Sequence, residues 1–139
     1  MQSKLNPYIS FQGTAREAME FYKSIFGGTL DITTFQEGGM AQNQANAEQI
    51  MHAMLVAENG MTIMGADTPD GMAYDAGARI SISLSGDNEA ELTGYYDKLA
   101  ADGVVASPLK KESWGDTFGM VTDKFGVFWM VNIAGQKPQ

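Results

Sequence analysis

The chain has 139 residues, 44% of them apolar and 19% charged, a globular balance that excludes a disordered chain. Nine basic against seventeen acidic side chains give a net charge of −8, so there is no basic footprint for nucleic acid or for an anionic membrane. Cysteine is absent and histidine occurs once, which excludes disulfides, thiolate chemistry and any site built from two imidazoles of one chain. No run of 18 apolar residues occurs, and residues 1–6 lack the apolar centre of a signal peptide; a soluble cytoplasmic protein is expected.

Residues 7–12 alternate and are short, as a strand should be. Gly13 ends that strand. Thr14 stands where an N-cap belongs, with Glu17 at the capping-box distance. Ala18, Tyr22 and Ile25 recur at helical spacing, widened by Met19 and Phe26, and Gly27-Gly28 stops the helix. Residues 30–35 and 49–56 read as strands. Glu58-Asn59-Gly60 is a hairpin signal leading to a strand over 61–65. The loop 36–49, rich in Gln, Asn, Gly and Ala, reads as a lid or as a disordered segment. The stretch 65–78 reads as a connection; its Asp67, Asp70 and Asp75 lack EF-hand spacing and are expected to be solvated loop charges.

The order then repeats. Residues 79–85 form a strand with Ile80, Ile82 and Leu84 on one face and Ser81, Ser83 and Ser85 on the other. Gly86 ends it and Asp87 caps a helix whose stripe is Leu92, Tyr95, Tyr96 and Leu99, closed by Gly103. A weak strand over 104–109, interrupted by Pro108, precedes a pair over 118–122 and 127–133. Their turn is Asp123-Lys124-Phe125-Gly126, where Asp123 is a turn-capping carboxylate. Trp129 and Val131 should pack on the helix, leaving Phe128 and Met130 on the opposite face. Gly13 and Gly86 are 73 positions apart and Gly60 and Gly126 are 66 apart, the mark of a duplication. The expectation is one α+β domain over 1–139, made of two β-α-β-β-β modules at about 5–66 and 78–134 with a linker at about 67–77.

Such tandem modules resemble the vicinal oxygen chelate superfamily of glyoxalase I, bleomycin-resistance proteins and extradiol dioxygenases. The segments PYISFQGTAREAMEFYKSIFGG, IMHAML, SWGD and GMVTDKFGVFWMVNIAG are similar to its PhnB-like branch, also labelled 3-demethylubiquinone methyltransferase-like. The resemblance implies the glyoxalase/bleomycin-resistance fold, in which two curved mixed sheets make an open cup facing a ligand, and it implies a homodimer. It brings no nucleotide-type cofactor, because no strand-to-helix turn is glycine-rich in the required way. Metal-dependent members place His, Glu or Gln on the first and fourth strand of each module. The corresponding positions here are Tyr8, Met64, Ser81 and Met130. Thioether sulfur is soft, so this set does not suit a hard or borderline divalent cation, and neither a metal nor another cofactor is expected.

Alternation applied to that fold lines the cup with Tyr8, Ser10, His52, Met54, Met64, Ser81, Ser83, Phe118, Met120 and Met130, with Trp114 at the rim. Counting back from Gly60 and Gly126 pairs His52 with Phe118 and Met54 with Met120. The sole histidine is either a hydrogen-bonded structural residue or the site's donor or general base, the role imidazole fills near neutral pH. Ten methionines suggest a deformable wall that tolerates varied ligands. The leading expectation is a metal-free small-molecule binding protein with no nucleic-acid or membrane partner. The alternative is a lyase, isomerase or oxygenase of glyoxalase or dioxygenase type, using a divalent metal at a non-standard site or His52 as base. A third reading is an interaction protein whose cup is closed by dimerisation.

Overall fold

A computed structural model describes residues 5–39, 47–68 and 80–135. The chain divides into two compact units, Met1–Ala76 and Gly77–Gln139. In the first, β1 (Tyr8–Phe11), α1 (Ala15–Phe26), β2 (Thr29–Thr34), β3 (Ile50–Val56) and β4 (Thr62–Asp67) follow in chain order. The second holds β5 (Ile82–Gly86), α2 (Glu89–Ala100), β6 (Val104–Lys111), β7 (Thr117–Thr122) and β8 (Phe128–Ile133). Each unit is one four-stranded sheet, ordered β1-β4-β3-β2 and β5-β8-β7-β6. The first and last strand of each unit run parallel and the other neighbours antiparallel. Among the described residues no helix is long and apolar enough to cross a membrane.

Each sheet is covered on one face by its own helix, α1 packing on β2, β3 and β4 and α2 on β5 to β8. The buried face of α1 is Ala15, Ala18, Met19, Tyr22, Ile25 and Phe26, the stripe that the helical spacing specifies. Phe11, Ala53, Leu55 and Ile63 meet it from the sheet, as Leu84, Val121, Trp129 and Val131 meet Leu92, Tyr96 and Leu99 in the second unit. Only one residue in two along each strand can face the helix.

The helix starts differ from the sequence expectation. Thr14 occupies the N-cap of α1, but its hydroxyl makes no capping bond. The orphan donors are served by Asp67, at the end of β4: its Oδ1 accepts from the backbone N–H of Gly13 at 2.9 Å and of Ala15 at 3.0 Å. Its Oδ2 accepts from the N–H of Ile50 at 2.9 Å. Asp67 is 2% exposed, so it is not a solvated loop charge. β4 continues two residues past the expected end, and the alternation that buries Ile63 and Gly65 buries Asp67 as well. Three N–H donors and the positive end of α1 offset the desolvation of its charge. In the second unit the cap is Asn88, not Asp87; its Oδ1 accepts from Glu91 N–H at 3.0 Å.

Two glycines fix where each helix returns to its sheet. A Cβ on Gly28 would run into the Val56 carbonyl, and one on Gly103 into the Thr122 carbonyl. Gly28 has φ +96° besides, a conformation that glycine alone adopts readily. The turns that follow also match: Gly60 N–H bonds the Ala57 carbonyl and Gly126 N–H the Asp123 carbonyl, both at 2.9 Å. Asp123 caps its turn as expected, its Oδ1 accepting from Phe125 and Val127 N–H. Its Oδ2 also accepts from the buried Trp129 Nε1 at 2.9 Å. β6 runs past Pro108 to Lys111, because it is an edge strand whose pairing slips between Val105 and Ser107 and again before Lys110. Residues 40–46 of the expected lid, Asp70 and Asp75 of the connection, and Arg79 lie outside the described residues.

Asp67→Ala leaves the buried backbone donors of Ala15 and Ile50, and the partly buried one of Gly13, without an acceptor. It should cost about 3 kcal/mol or more, read as a lowered urea midpoint. The same substitution at exposed Glu20 should change little; equal effects at both positions would remove Asp67 from this role.

Candidate functional site

The face of each sheet turned away from its helix carries the side chains singled out by the sequence, except Ser81 and Trp114, which lie outside the strands. In the first unit Tyr8 stands opposite Met64, Met64 opposite Met54, and Met54 opposite Asp31. Paired residues on neighbouring strands share a face, so Tyr8, Met64, Met54 and Asp31 form one row across the sheet. In the second unit the matching row is Ser83, Met130, Met120 and Ser107. A pair of directly opposed, half-buried methionines therefore sits at the middle of both rows.

The counterpart of Tyr8 is Ser83, since each stands opposite the methionine of the last strand. The expected set named Ser81 because Gly13 and Gly86 were matched. The pairing instead matches Phe11 with Gly86, since these stand opposite Asp67 and Ile133. Ser81 falls one residue before β5. The offset of 66 does hold for the hairpin strands, where Met54 corresponds to Met120 and His52 to Phe118.

His52 is half-buried, and the exposed Tyr8 reaches it across β4. Tyr8 Oη lies 3.4 Å from His52 Nδ1 and the ring centroids are 5.8 Å apart. One phenol hydroxyl and one imidazole thus meet beside Met54 and Met64. Ser10, opposite Ala66, lies on the same exposed face. Thr33 stands opposite His52. Phe118 occupies the corresponding place in the second unit, with Asn132 opposite it on one side and Lys110 on the other. Trp114, 62% exposed, is carried by the turn from Glu112 to Asp116, and its ring lies 6.3 Å from that of Phe118.

Asp31, Thr33, Ser107, Lys110 and Asn132 were missed as members of these faces. Alternation would have found Asp31 and Thr33, because Leu30 and Ile32 are the apolar residues of β2. Lys110 was hidden by the two irregularities in β6. Asp116 was missed because its role is tertiary: its Oδ1 accepts from Gly135 N–H at 2.8 Å and its Oδ2 from Asn132 Nδ2 at 3.0 Å. These donors, Gly135 N–H first and the Asn132 amide second, hold the Asp116 carboxyl below the ordinary carboxylate range.

The metal of the superfamily can be tested against these donors. The positions that resemblance assigns to ligands hold a phenol and a thioether in the first unit, a hydroxyl and a thioether in the second. Among the described residues, no three His, Asp or Glu side chains come together to hold an ion. A hard or borderline divalent cation requires imidazole nitrogen or carboxylate oxygen. The residues do not fit it.

A carboxyl depressed by native hydrogen bonds stabilises the folded state above its unfolded pKa and loses that contribution as pH falls through the folded value. The stability difference between the protein and Asp116→Ala should therefore be full at neutral pH and vanish in acid below the ordinary carboxylate range. Urea midpoints measured across that range check this, and a difference independent of pH would contradict it.

The comparisons with known proteins agree with this fold. The family model described as 3-demethylubiquinone-9 3-methyltransferase matches residues 3–132. Protein YjdN of Escherichia coli is 32% identical, covering 96% of this chain and 97% of its own. The crystal structure of protein PA1353 from Pseudomonas aeruginosa is 36% identical, with TM-score 0.82, over 97% of this chain and 100% of that one. A PhnB protein from Bacillus cereus, described as a putative member of the same methyltransferase family, is 27% identical with TM-score 0.70, over 95% and 100% of the two chains. A glyoxylase/bleomycin resistance protein/dioxygenase domain from Frankia shares the fold at TM-score 0.66 and 12% identity, over 98% and 99%. With a family model covering nearly the whole chain and the α+β glyoxalase/bleomycin-resistance fold beneath it, the chain belongs to the PhnB-like family described as 3-demethylubiquinone-9 3-methyltransferase.

Proposed function

We propose that this protein is a metal-free small-molecule binder, and that its ligands lie on the sheet faces bearing the opposed methionine pairs. The observation carrying this reading is Met54 opposite Met64 and Met120 opposite Met130, with Met64 and Met130 at the fourth-strand positions where metal-dependent members carry hard ligands. Methionine offers a polarizable, conformationally adaptable surface. Phe118 and Trp114 add aromatic area, while Tyr8, His52 and the serines supply a few directional hydrogen bonds. That combination, mostly apolar with sparse polar anchors, suits small organic ligands. Methyl transfer, named in the family's description, draws no support from these faces.

The test is a panel of small aromatic compounds titrated into the untagged protein by calorimetry, alongside Zn²⁺ and Ni²⁺. Organic ligands should bind and neither ion should bind stoichiometrically. Each neutral hydrogen bond contributes about 0.5–1.5 kcal/mol net, so His52→Ala should weaken a ligand held on the first unit by up to roughly tenfold. Phe118→Ala should weaken one held on the second comparably. Stoichiometric binding of either ion with a methylglyoxal–glutathione turnover, and no organic binding, would establish the enzyme reading instead.

A further inference from the structure

One row of the second unit has a chemical polarity that the methionine row lacks. Ser85 stands opposite Asn132, Asn132 opposite Phe118, and Phe118 opposite Lys110. All four lie on the face turned from α2. Phe118, half-buried, is the middle of the row and has the Trp114 ring beside it at 6.3 Å. Lys110 is exposed on one side, and Asn132 lies on the other. Lys110 and Asn132 are two strand spacings apart, roughly 10 Å between their backbones.

The orientation of Asn132 follows from its partner. An ionised carboxylate only accepts hydrogen bonds, so the Asn132 atom 3.0 Å from Asp116 Oδ2 is the amide nitrogen. Asp116 is itself held by Gly135 N–H at 2.8 Å. The amide cannot turn over without setting oxygen against oxygen. Among the described residues, Asn132 Oδ1 is therefore the acceptor left for a ligand. The row reads cation, aromatic ring, acceptor. An edge strand often carries lysine to discourage pairing with other chains. That accounts for a lysine on β6, but not for a carboxylate that fixes the amide on the far side of Phe118.

We propose that this row receives a planar aromatic molecule bearing a carboxylate at one end and an N–H or O–H donor at the other. The ring lies over Phe118, its carboxylate pairs with Lys110 and its donor bonds Asn132 Oδ1. Asp116 is a positioning residue that acts through Asn132. The inference rests on the small-molecule reading above and assigns it a ligand class. The chain's net charge of −8 repels anions at long range, so preference for a carboxylate must come from Lys110 itself.

Four probes separate the contributions in calorimetric titrations of the full chain at neutral pH. They are 4-aminobenzoate, the uncharged 4-aminobenzamide, 4-(dimethylamino)benzoate, which has no N–H, and benzoate. 4-Aminobenzoate should bind roughly tenfold tighter than the amide and several-fold tighter than the dimethyl compound and benzoate. Lys110→Met should abolish the first preference and keep the second. Asn132→Leu should do the reverse. Asp116→Asn, which frees the Asn132 amide to turn, should erase the preference for the N–H donor and leave the carboxylate preference intact; a merely structural Asp116 would weaken all four probes alike. Circular dichroism confirms that each variant is folded. Equal binding of all four probes, with Phe118→Ala weakening each, overturns this inference and leaves the small-molecule reading standing. If no probe binds, the inference is overturned, and if no compound of the wider panel binds either, so is that reading.

Discussion

The chain reverses from helix to sheet twice, at Gly28 and Gly103, and both times the backbone passes so close to a neighbouring carbonyl that no side chain fits. This constraint ties the start of the second strand to the end of the third, Gly28 against Val56 and Gly103 against Thr122. With that corner fixed and the Gly60 and Gly126 turns closing the next hairpin, the strands have little freedom to slide. A slip of one residue would exchange the two faces of a strand. Ala53 and Leu55 would leave the core, and His52 and Met54 would enter it. The close-packed corners therefore determine which side chains reach the open face.

The open faces then differ by what flanks the paired methionines. The first unit has the Tyr8–His52 contact on one side of Met54 and Asp31 opposite it. The second has Phe118 between Lys110 and Asn132, with Trp114 alongside. The two units share one strand order and one central pair, and the neighbouring positions give each its own hydrogen-bonding character. Buried carboxylates differ likewise. Asp67 holds the start of α1 in the first unit, whereas its counterpart opposite the end of β5 is Ile133. Asp123 caps the second hairpin, whereas Ala57 begins the first.

Local pattern made much of this legible. The stripe Ala18, Tyr22, Ile25, the glycines at the corners and the alternation of Ile82, Ser83, Leu84 and Ser85 each express a repeat that one element imposes on its own residues. Those signals were enough for the order of elements, the duplication and the sharing of a face by His52 and Met54. What stayed hidden depends on contacts distant in sequence. Asp67 looks like a loop charge because the donors it accepts from lie 17 to 54 residues away. The counterpart of Tyr8 is Ser83 and not Ser81, because a matched pair of glycines does not fix a parallel register. Lys110 was missed because irregular pairing in β6 breaks the count that alternation needs. Asp116 escaped notice because only the folded chain brings Asn132 and Gly135 to it.

The central claim is that the methionine faces are surfaces for organic ligands and not the remnants of a metal centre. Methionine methyl groups labelled with carbon-13 report on it directly, since Met54, Met64, Met120 and Met130 can each be assigned by substitution with leucine. A binding aromatic compound should shift the methyl resonances of Met120 and Met130, or of Met54 and Met64, through ring currents at saturable concentration. Ni²⁺ should leave all four unbroadened at one equivalent. Stoichiometric broadening of these methyls by Ni²⁺, with no response to any aromatic ligand, would contradict it.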